Sequence, residues 1–430
     1  MKNLKQVQVK KDGILAWVIC LSAFVSNAIV NGIDSSFGEI IGSLIKNLDS
    51  NAATVSWISS IHTSNMFLFA MVSTTLIQKH GFHIVIIGGV IVSCLAYIGA
   101  AFSNNVILLT LTYGVFGGAG SGLLFTPGNI VSSYYFEKQR AIATGIAMCG
   151  SGVGVASIST LANYLNINFG AQSVFASFSL LALLSLFLGI FTFPTTDKRE
   201  NNNDNVKSAE SQASEHGYKT FTYVEEDEEK RGMLDEFSPL KDPRLIFYCL
   251  SNVMFELAYY IPIVYLPEMM VIDHGFPQSV EGTIIAVLGA SNIVGKLCSG
   301  VISKLFQKHC VIISAINLVC LGSGSLGLAF CSEYGEYIGT TALYGIFMGS
   351  FDPFAVYILL EMYGVTDKFQ DAYGLVMLAK MLSSIWGPPI GGALHDITGA
   401  YYVAFYATGL FHYIGAIFGF IMFVCHIKKQ

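Results

Sequence analysis

The sequence predicts an all-α membrane protein of twelve transmembrane helices in two six-helix halves, and three observations carry that prediction. Of 430 residues, 53% are hydrophobic and 12% charged, with a mean hydropathy of +0.58, whereas soluble domains carry about 25% charged residues. Apolar runs near 14–38, 55–77, 82–103, 106–133, 140–165, 172–194, 245–268, 280–303, 309–331, 336–363, 371–394 and 400–426 each approach or exceed the roughly 20 residues that span a hydrocarbon core. Finally, the halves echo each other: Tyr113-Gly114-Val115-Phe116 returns as Tyr344-Gly345-Ile346-Phe347, and Gly145 and Gly170 return as Gly374 and Gly399.

The first run follows Lys2, Lys5, Lys10 and Lys11 without a small-residue cleavage site, so the first helix is expected to stay as its own anchor. Residues 1–194 form the first half and 244–430 the second. Between them, 195–243 hold 13 acidic and 7 basic residues, including NNNDN and EEDEEKR, too little apolar surface to bury, so a disordered acidic linker is expected. With a cytoplasmic N-terminus, Lys79, Lys138, Arg140, Lys304, Lys308, Lys368, Lys428 and Lys429 all fall on the cytoplasmic side and Lys46 alone on the other. That asymmetry places both termini and the linker in the cytoplasm. Parallel repeats around a midplane site are one construction of secondary transporters, in which the halves rock to expose the site to each side in turn.

The remaining composition excludes other classes. Outside the linker, 16 acids balance 16 bases, which leaves no basic face for nucleic acid. The nine cysteines, Cys20, Cys94, Cys149, Cys249, Cys298, Cys310, Cys320, Cys331 and Cys425, show no CxxC or Cys/His spacing for a metal and read as reduced core thiols. No nucleophile, metal or phosphate-loop motif marks an enzyme, and no cofactor is expected.

Local motifs have structural readings beside functional ones. Asp12 can cap the first helix and Trp17 can anchor at the headgroup level. Gly145, Gly150, Gly152 and Gly154 are spaced for close helix approach. Lys138 and Arg140 either obey the charge rule or lock one conformation by pairing across the halves. Pro262 and Pro267 in helix seven, and Pro388 and Pro389 in helix eleven, are expected to interrupt the backbone ladder. His395 and Asp396 fall at a helix end and read as loop chemistry.

The charges inside apolar runs are the functional candidates: Lys296, Lys380, Asp352 and Glu256. An unpaired ammonium in the bilayer costs from about 3 to more than 10 kcal/mol, and such groups usually face a wet cavity. Either they cancel as structural ion pairs, or they face such a cavity and handle what the protein moves. In the second case Asp352 and Glu256 keep the lysines charged and exchange a proton.

KDGILAW at 11–17 and YYFEKQRAIATGIAMCGSGVG at 134–154 resemble two signatures of the monocarboxylate transporter family within the major facilitator superfamily. The matching positions are Asp12, Gly13, Trp17, Tyr135, Phe136, Lys138 and Arg140, with support from SWISSI at 56–61 and GPPIGGALHDITGAY at 387–401. The resemblance covers nearly all the chain except the linker, and it implies the major facilitator fold. In proton-coupled members, a first-helix lysine and an eighth-helix Asp/Arg pair serve proton and carboxylate. Here those positions hold Asp34-Ser35, and Asn292 with Lys296, so only one cation remains, and as a lysine it offers a point charge instead of a bidentate fork. The pairing of Lys296 with Lys380 after Ala379 is similar to oxalate/formate antiporters, which favours anions over neutral solutes.

The expected function is alternating-access transport of a small organic anion, with Lys296, Lys380, Asn292, Asp34 and Ser35 at the substrate and Asp352 and Glu256 in coupling. An amino-acid or zwitterion facilitator, an oxalate/formate-type exchanger and a non-transporting receptor-like protein remain open. Expected partners are the anion, protons and the lipid bilayer, with a single-span accessory protein left open; the plasma membrane is the expected location.

Overall fold

The computed structural model describes residues 12–50, 52–186, 189, 235–277, 281–306, 309–364 and 366–427. The helices of the first half are α1 Ile14–Ser35, α2 Ala52–His80, α3 Phe82–Ala101, α4 Val106–Tyr135, α5 Arg140–Phe169 and α6 Ala171–Leu184. Those of the second are α7 Pro243–Glu268, α8 Glu281–Leu305, α9 Cys310–Phe330, α10 Tyr334–Tyr363, α11 Asp367–Ser384 continued by Gly387–Thr398, and α12 Tyr402–Ile427. Among the described residues nine helices are long and apolar enough to cross a membrane; α2, α6 and the two-piece α11 complete the twelve. Most of the linker, 190–234, lies outside the described residues, as do Lys308, Lys428 and Lys429.

Each boundary has a local cause. Gly81 and Gly170 take positive φ of 80° and 83° at the tight α2–α3 and α5–α6 turns, conformations that glycine adopts without steric cost. Asn105 accepts the Leu108 N–H at 2.7 Å to start α4, and Glu333 and Glu336 form a capping box on α10. The end of the expected linker is ordered: Asp235–Lys241 is a short 3-10 helix, and Asp242 caps α7 by accepting from the Arg244 N–H at 3.1 Å. Proline acts differently from expectation in α7, which runs helical past Pro262 and widens into a π turn only at Met269–Asp273. In α11 the chain does break, between Ser384 and Gly387.

Asp12 does not cap its own helix. Its φ of 57° turns the chain, and its carboxylate accepts the backbone N–H groups of Glu137, Lys138 and Gln139 at 3.4, 3.2 and 3.3 Å. Trp17 meets Phe136 edge-on at 5.0 Å, and the Asp12 N–H donates to the Tyr135 carbonyl at 3.2 Å. Two motifs more than 120 residues apart are thus one joint, chosen because the donors before α5 have no intrahelical partner. Arg140 donates to the Phe136 carbonyl at 3.0 Å; among the described residues neither it nor Lys138 forms an ion pair with the second half, the contact that the locking alternative calls for.

The halves repeat their packing. Gly114 of α4 lies against Ile58 and Ile61 of α2, and its counterpart Gly345 of α10 lies against Leu288 and Ser291 of α8. Gly150 and Gly154 of α5 let the α1 backbone approach so closely that a methyl at either would collide with the Phe24 or Ala28 carbonyl. Gly145 and Gly152 face α8, so α5 is wedged between α1 and α8.

The two halves meet through α2 with α11 and α5 with α8. On the near face, where α1 begins, Gln78 donates to Asp371 at 2.8 Å, Gln370 donates to the Tyr134 hydroxyl, and the Tyr357 hydroxyl donates to the Ala141 carbonyl. Toward the far face Tyr260 of α7 donates to Asp34 of α1 at 3.1 Å.

Candidate functional site

Between the halves lies a cavity of about 40 Å³, lined by Asn27, Asn31, Asn129, Ser151, Lys296, Asp352, Tyr373 and Lys380 together with apolar side chains. That volume suits one or two waters, so a larger solute requires the halves to part. The amide of Asn27 donates to the Gly128 and Ala147 carbonyls, both at 3.1 Å, which pins α1 against α4 and α5 and fixes the first-half wall. Asn129 donates to the Tyr373 hydroxyl at 3.2 Å across the halves.

The second half supplies the charge. Lys380 Nζ lies 2.6 Å from Asp352 Oδ1 and 3.3 Å from Glu256 Oε2, and stands 5.8 and 5.5 Å from the Phe67 and Phe255 ring centres. The Lys380 and Glu256 side chains are 4% and 3% exposed, whereas Asp352 is 34% exposed. Pro353 follows Asp352 inside α10 and withholds a backbone N–H from the preceding turn, a break beside the one acid that opens to the cavity.

Lys296 is 6% exposed, and its ammonium donates to the Ser151 hydroxyl of α5. No carboxylate lies within ion-pair distance of it among the described residues. The cluster therefore holds two cations of unlike status: Lys380 is neutralised by two acids, and Lys296 is served by a neutral oxygen.

Of the sequence candidates, Lys296, Lys380 and Asp352 line this cavity and Glu256 reaches it through Lys380. Asn292, Asp34 and Ser35 do not line it. The Ser35 hydroxyl turns back to the Asn31 carbonyl, and the Asn292 backbone is covered by Gly349. Asp34 is held in a separate network, by His62 Nδ1 at 3.0 Å and Thr63 Oγ1 at 2.7 Å from the first half and by the Tyr260 hydroxyl of α7 at 3.1 Å from the second.

A family model for the Major Facilitator Superfamily matches residues 14–330 and 248–429. The chain belongs to the Major Facilitator Superfamily. Among curated relatives, monocarboxylate transporter 2 of Homo sapiens is 25% identical over 415 residues, covering 95% of this chain and 85% of its own. Monocarboxylate transporter 1 of Bos taurus is 26% identical over 431 residues, with 95% and 85% covered. The fold is that of the E. coli fucose:proton symporter FucP, at a TM-score of 0.69 and 14% identity over 95% of this chain and 98% of that one. The proton:xylose symporter XylE matches at 0.70 and 15%, over 94% and 95%. Within the superfamily this is a monocarboxylate-transporter-like, multi-pass membrane transporter and not an enzyme.

Sequence reading of this facilitator missed Ser151, His62, Thr63 and Tyr260. A signal for His62 existed: it and Asp34 are the only Asp, Glu, Lys, Arg or His residues well inside the first six apolar runs. Ser151 and Thr63 carry no such mark, because short hydroxyls in apolar helices commonly satisfy themselves on the preceding turn, and Tyr260 is one of 21 tyrosines.

Proposed function

We propose that this transporter moves a small organic monocarboxylate together with a proton by alternating access, and that Lys296 is the partner of the anion. The observation that carries the reading is a buried ammonium on the cavity wall with a hydroxyl, and no carboxylate, beside it. A fixed charge in a membrane interior is costly unless paired, and a substrate carboxylate is the partner this one lacks. Lys296, Lys380, Asp352 and Glu256 sum to zero, so an incoming monoanion leaves one negative charge, which one proton removes. Lys380, anchored from both sides by Asp352 and Glu256, sets the potential around the anion and needs no substrate of its own.

A zwitterion balances the same cavity without a proton, and the exposure of Asp352 favours that second reading, since its free carboxylate oxygen can take an ammonium while Lys296 takes the carboxylate. The two readings differ in a vesicle uptake assay with a labelled panel of carboxylates and amino acids at several pH values. Uptake of simple carboxylates that rises with an inward proton gradient supports symport of an anion; uptake restricted to amino acids and indifferent to pH supports the zwitterion, and transport of uncharged solutes alone refutes both.

Lys79, Lys138, Arg140, Lys304 and Lys368 gather at the near face while Lys46 stands at the far one, which supports a cytoplasmic near face with the termini and the 195–243 linker on that side. In a plasma membrane the far face then meets the exterior. The halves 1–194 and 244–430 are the bodies that rock, and the near-face bonds describe a state closed toward the cytoplasm.

A further inference from the structure

We propose that the Asp34–His62 pair in the first half is the site where the proton binds, and that Tyr260 couples this site to closure of the far face. The proposal rests on the alternating-access reading above. It starts from a difference in how the halves balance buried charge. In the second half Glu256 and Asp352 share a permanent cation, Lys380. In the first half the lysines and arginine among the described residues are Lys46, Lys79, Lys138 and Arg140, all at helix ends. The one cation within reach of Asp34 is His62, whose side chain is 0% exposed and whose charge exists only when a proton is bound. Dehydrated Asp34 beside a neutral imidazole leaves an uncompensated charge; one added proton gives an ion pair of zero net charge.

The surrounding groups allow that proton to be taken and returned. From α3 the Tyr97 hydroxyl faces His62 Nε2 at 3.4 Å and lies 2.7 Å from the Ser121 hydroxyl of α4. From α4 the Tyr113 ring stacks on the imidazole at 4.5 Å. From α7 comes Tyr260, and Glu256 lies one turn earlier on the same helix. Tyr259, beside Tyr260 on α7, also interacts electrostatically with Asp34, and no lysine or arginine contacts the pair among the described residues. In the unprotonated state Nδ1–H donates to Asp34 and Nε2 accepts from Tyr97. Protonation adds one hydrogen at Nε2, which then donates to the Tyr97 oxygen while the Tyr97 hydroxyl turns to Ser121; release reverses both moves.

Two further relations connect the pair to transport. Tyr260 and Glu256 are four residues apart and share a helix face, so the chain Asp34, Tyr260, Glu256, Lys380 leads from the proton to the cavity wall. The repeat also matches the sites: Gly118 of α4 abuts the His62 carbonyl as Gly349 of α10 abuts the Asn292 carbonyl. His62 is therefore the first-half counterpart of Asn292, a residue that cannot titrate. When Tyr260 seals the far side, the pair is dehydrated and the bound proton is favoured. When α7 withdraws, water reaches Asp34 and the pair exchanges its proton with the far side. By linkage, proton binding favours closure to the same degree.

Two readouts on the full chain test this. Spin labels at Gly38→Cys and Val264→Cys, both exposed positions, report the α1–α7 separation on the far side without any substrate. The closed population should grow severalfold as the pH falls, and His62→Gln and Asp34→Asn should abolish that growth; the same growth in His62→Gln overturns the proposal. In vesicles, the ratio of gradient-driven carboxylate accumulation to exchange at equal pH should fall at least tenfold in His62→Gln and hold near the parent value if the proposal is wrong. Should the native protein exchange no carboxylate, the anion reading fails, and the label distances still decide the proton site.

Discussion

Lys380 of α11 and Asp352 of α10 form an ion pair of 2.6 Å beside Glu256 of α7, so one ammonium ties three helices of the second half at the membrane interior. This is a junction whose parts have little value separately. Removing one partner of a buried pair costs about 3 to 5 kcal/mol, because the remaining charge stays dehydrated.

Replacing Lys380 by methionine should therefore destabilise the protein by several kcal/mol, with two acids left facing each other. Adding Glu256→Gln and Asp352→Asn to that variant should restore most of the loss. Thermal unfolding in detergent measures both, and equal instability of the single and triple variants would show that the triad does not act as a unit.

The joint between α1 and the α4–α5 loop makes a milder prediction. Asp12→Ala should cost about 1 kcal/mol, the scale of a helix cap, and increase proteolysis near residues 137–139. A double-mutant cycle on Trp17 and Phe136 should return a coupling of about 0.5 to 1.5 kcal/mol, typical of an edge-on aromatic pair. Zero coupling would show that the two rings do not hold the joint together.

Most of the fold was legible because each apolar run is long enough to be forced into a helix, and one glycine pair that marks the repeat, Gly114 and Gly345, sits where α4 meets α2 and α10 meets α8. The linker end was misread since Asp242 and Pro243 start a helix inside a charge-rich segment. The site was legible as far as its charges: Lys296, Lys380, Asp352 and Glu256 stand out in hydrocarbon. Their partners did not stand out. Which acid neutralises which lysine depends on how α7, α10 and α11 converge, and that Asp12 serves a loop more than 120 residues away depends on a backbone turn at Asp12 that composition does not encode.

The near-face contacts predict a conformational shift. Gln78→Ala with Tyr134→Phe removes two hydrogen bonds between the halves, each worth about 0.5 to 1.5 kcal/mol, and should favour opening on that face by roughly five- to a hundredfold. Cys149 is buried between α5 and α8, with its thiol 3.7 Å from the Ile293 carbonyl, and its alkylation from the near side should accelerate accordingly, with Cys149→Ala as the blank. An unchanged rate would place the closure elsewhere.

Gly150 offers a test of the α1–α5 contact. Gly150→Val drives a side chain into the Phe24 carbonyl, and overpacking of a tight contact costs about 1 to 3 kcal/mol, more where backbone must move. The variant should lose monodispersity in detergent, whereas Gly38→Ala, at an open position, should behave as the parent.

The central claim is that Lys296 holds the anion, and the most direct measurement is equilibrium binding of a labelled monocarboxylate to the purified protein. A charge-assisted hydrogen bond is worth about 1.5 to 3 kcal/mol, so Lys296→Gln should weaken binding by roughly ten- to a hundredfold while Lys296→Arg, which keeps the charge, retains most of it. Carboxylate binding by Lys296→Gln at the affinity of the parent would contradict the account.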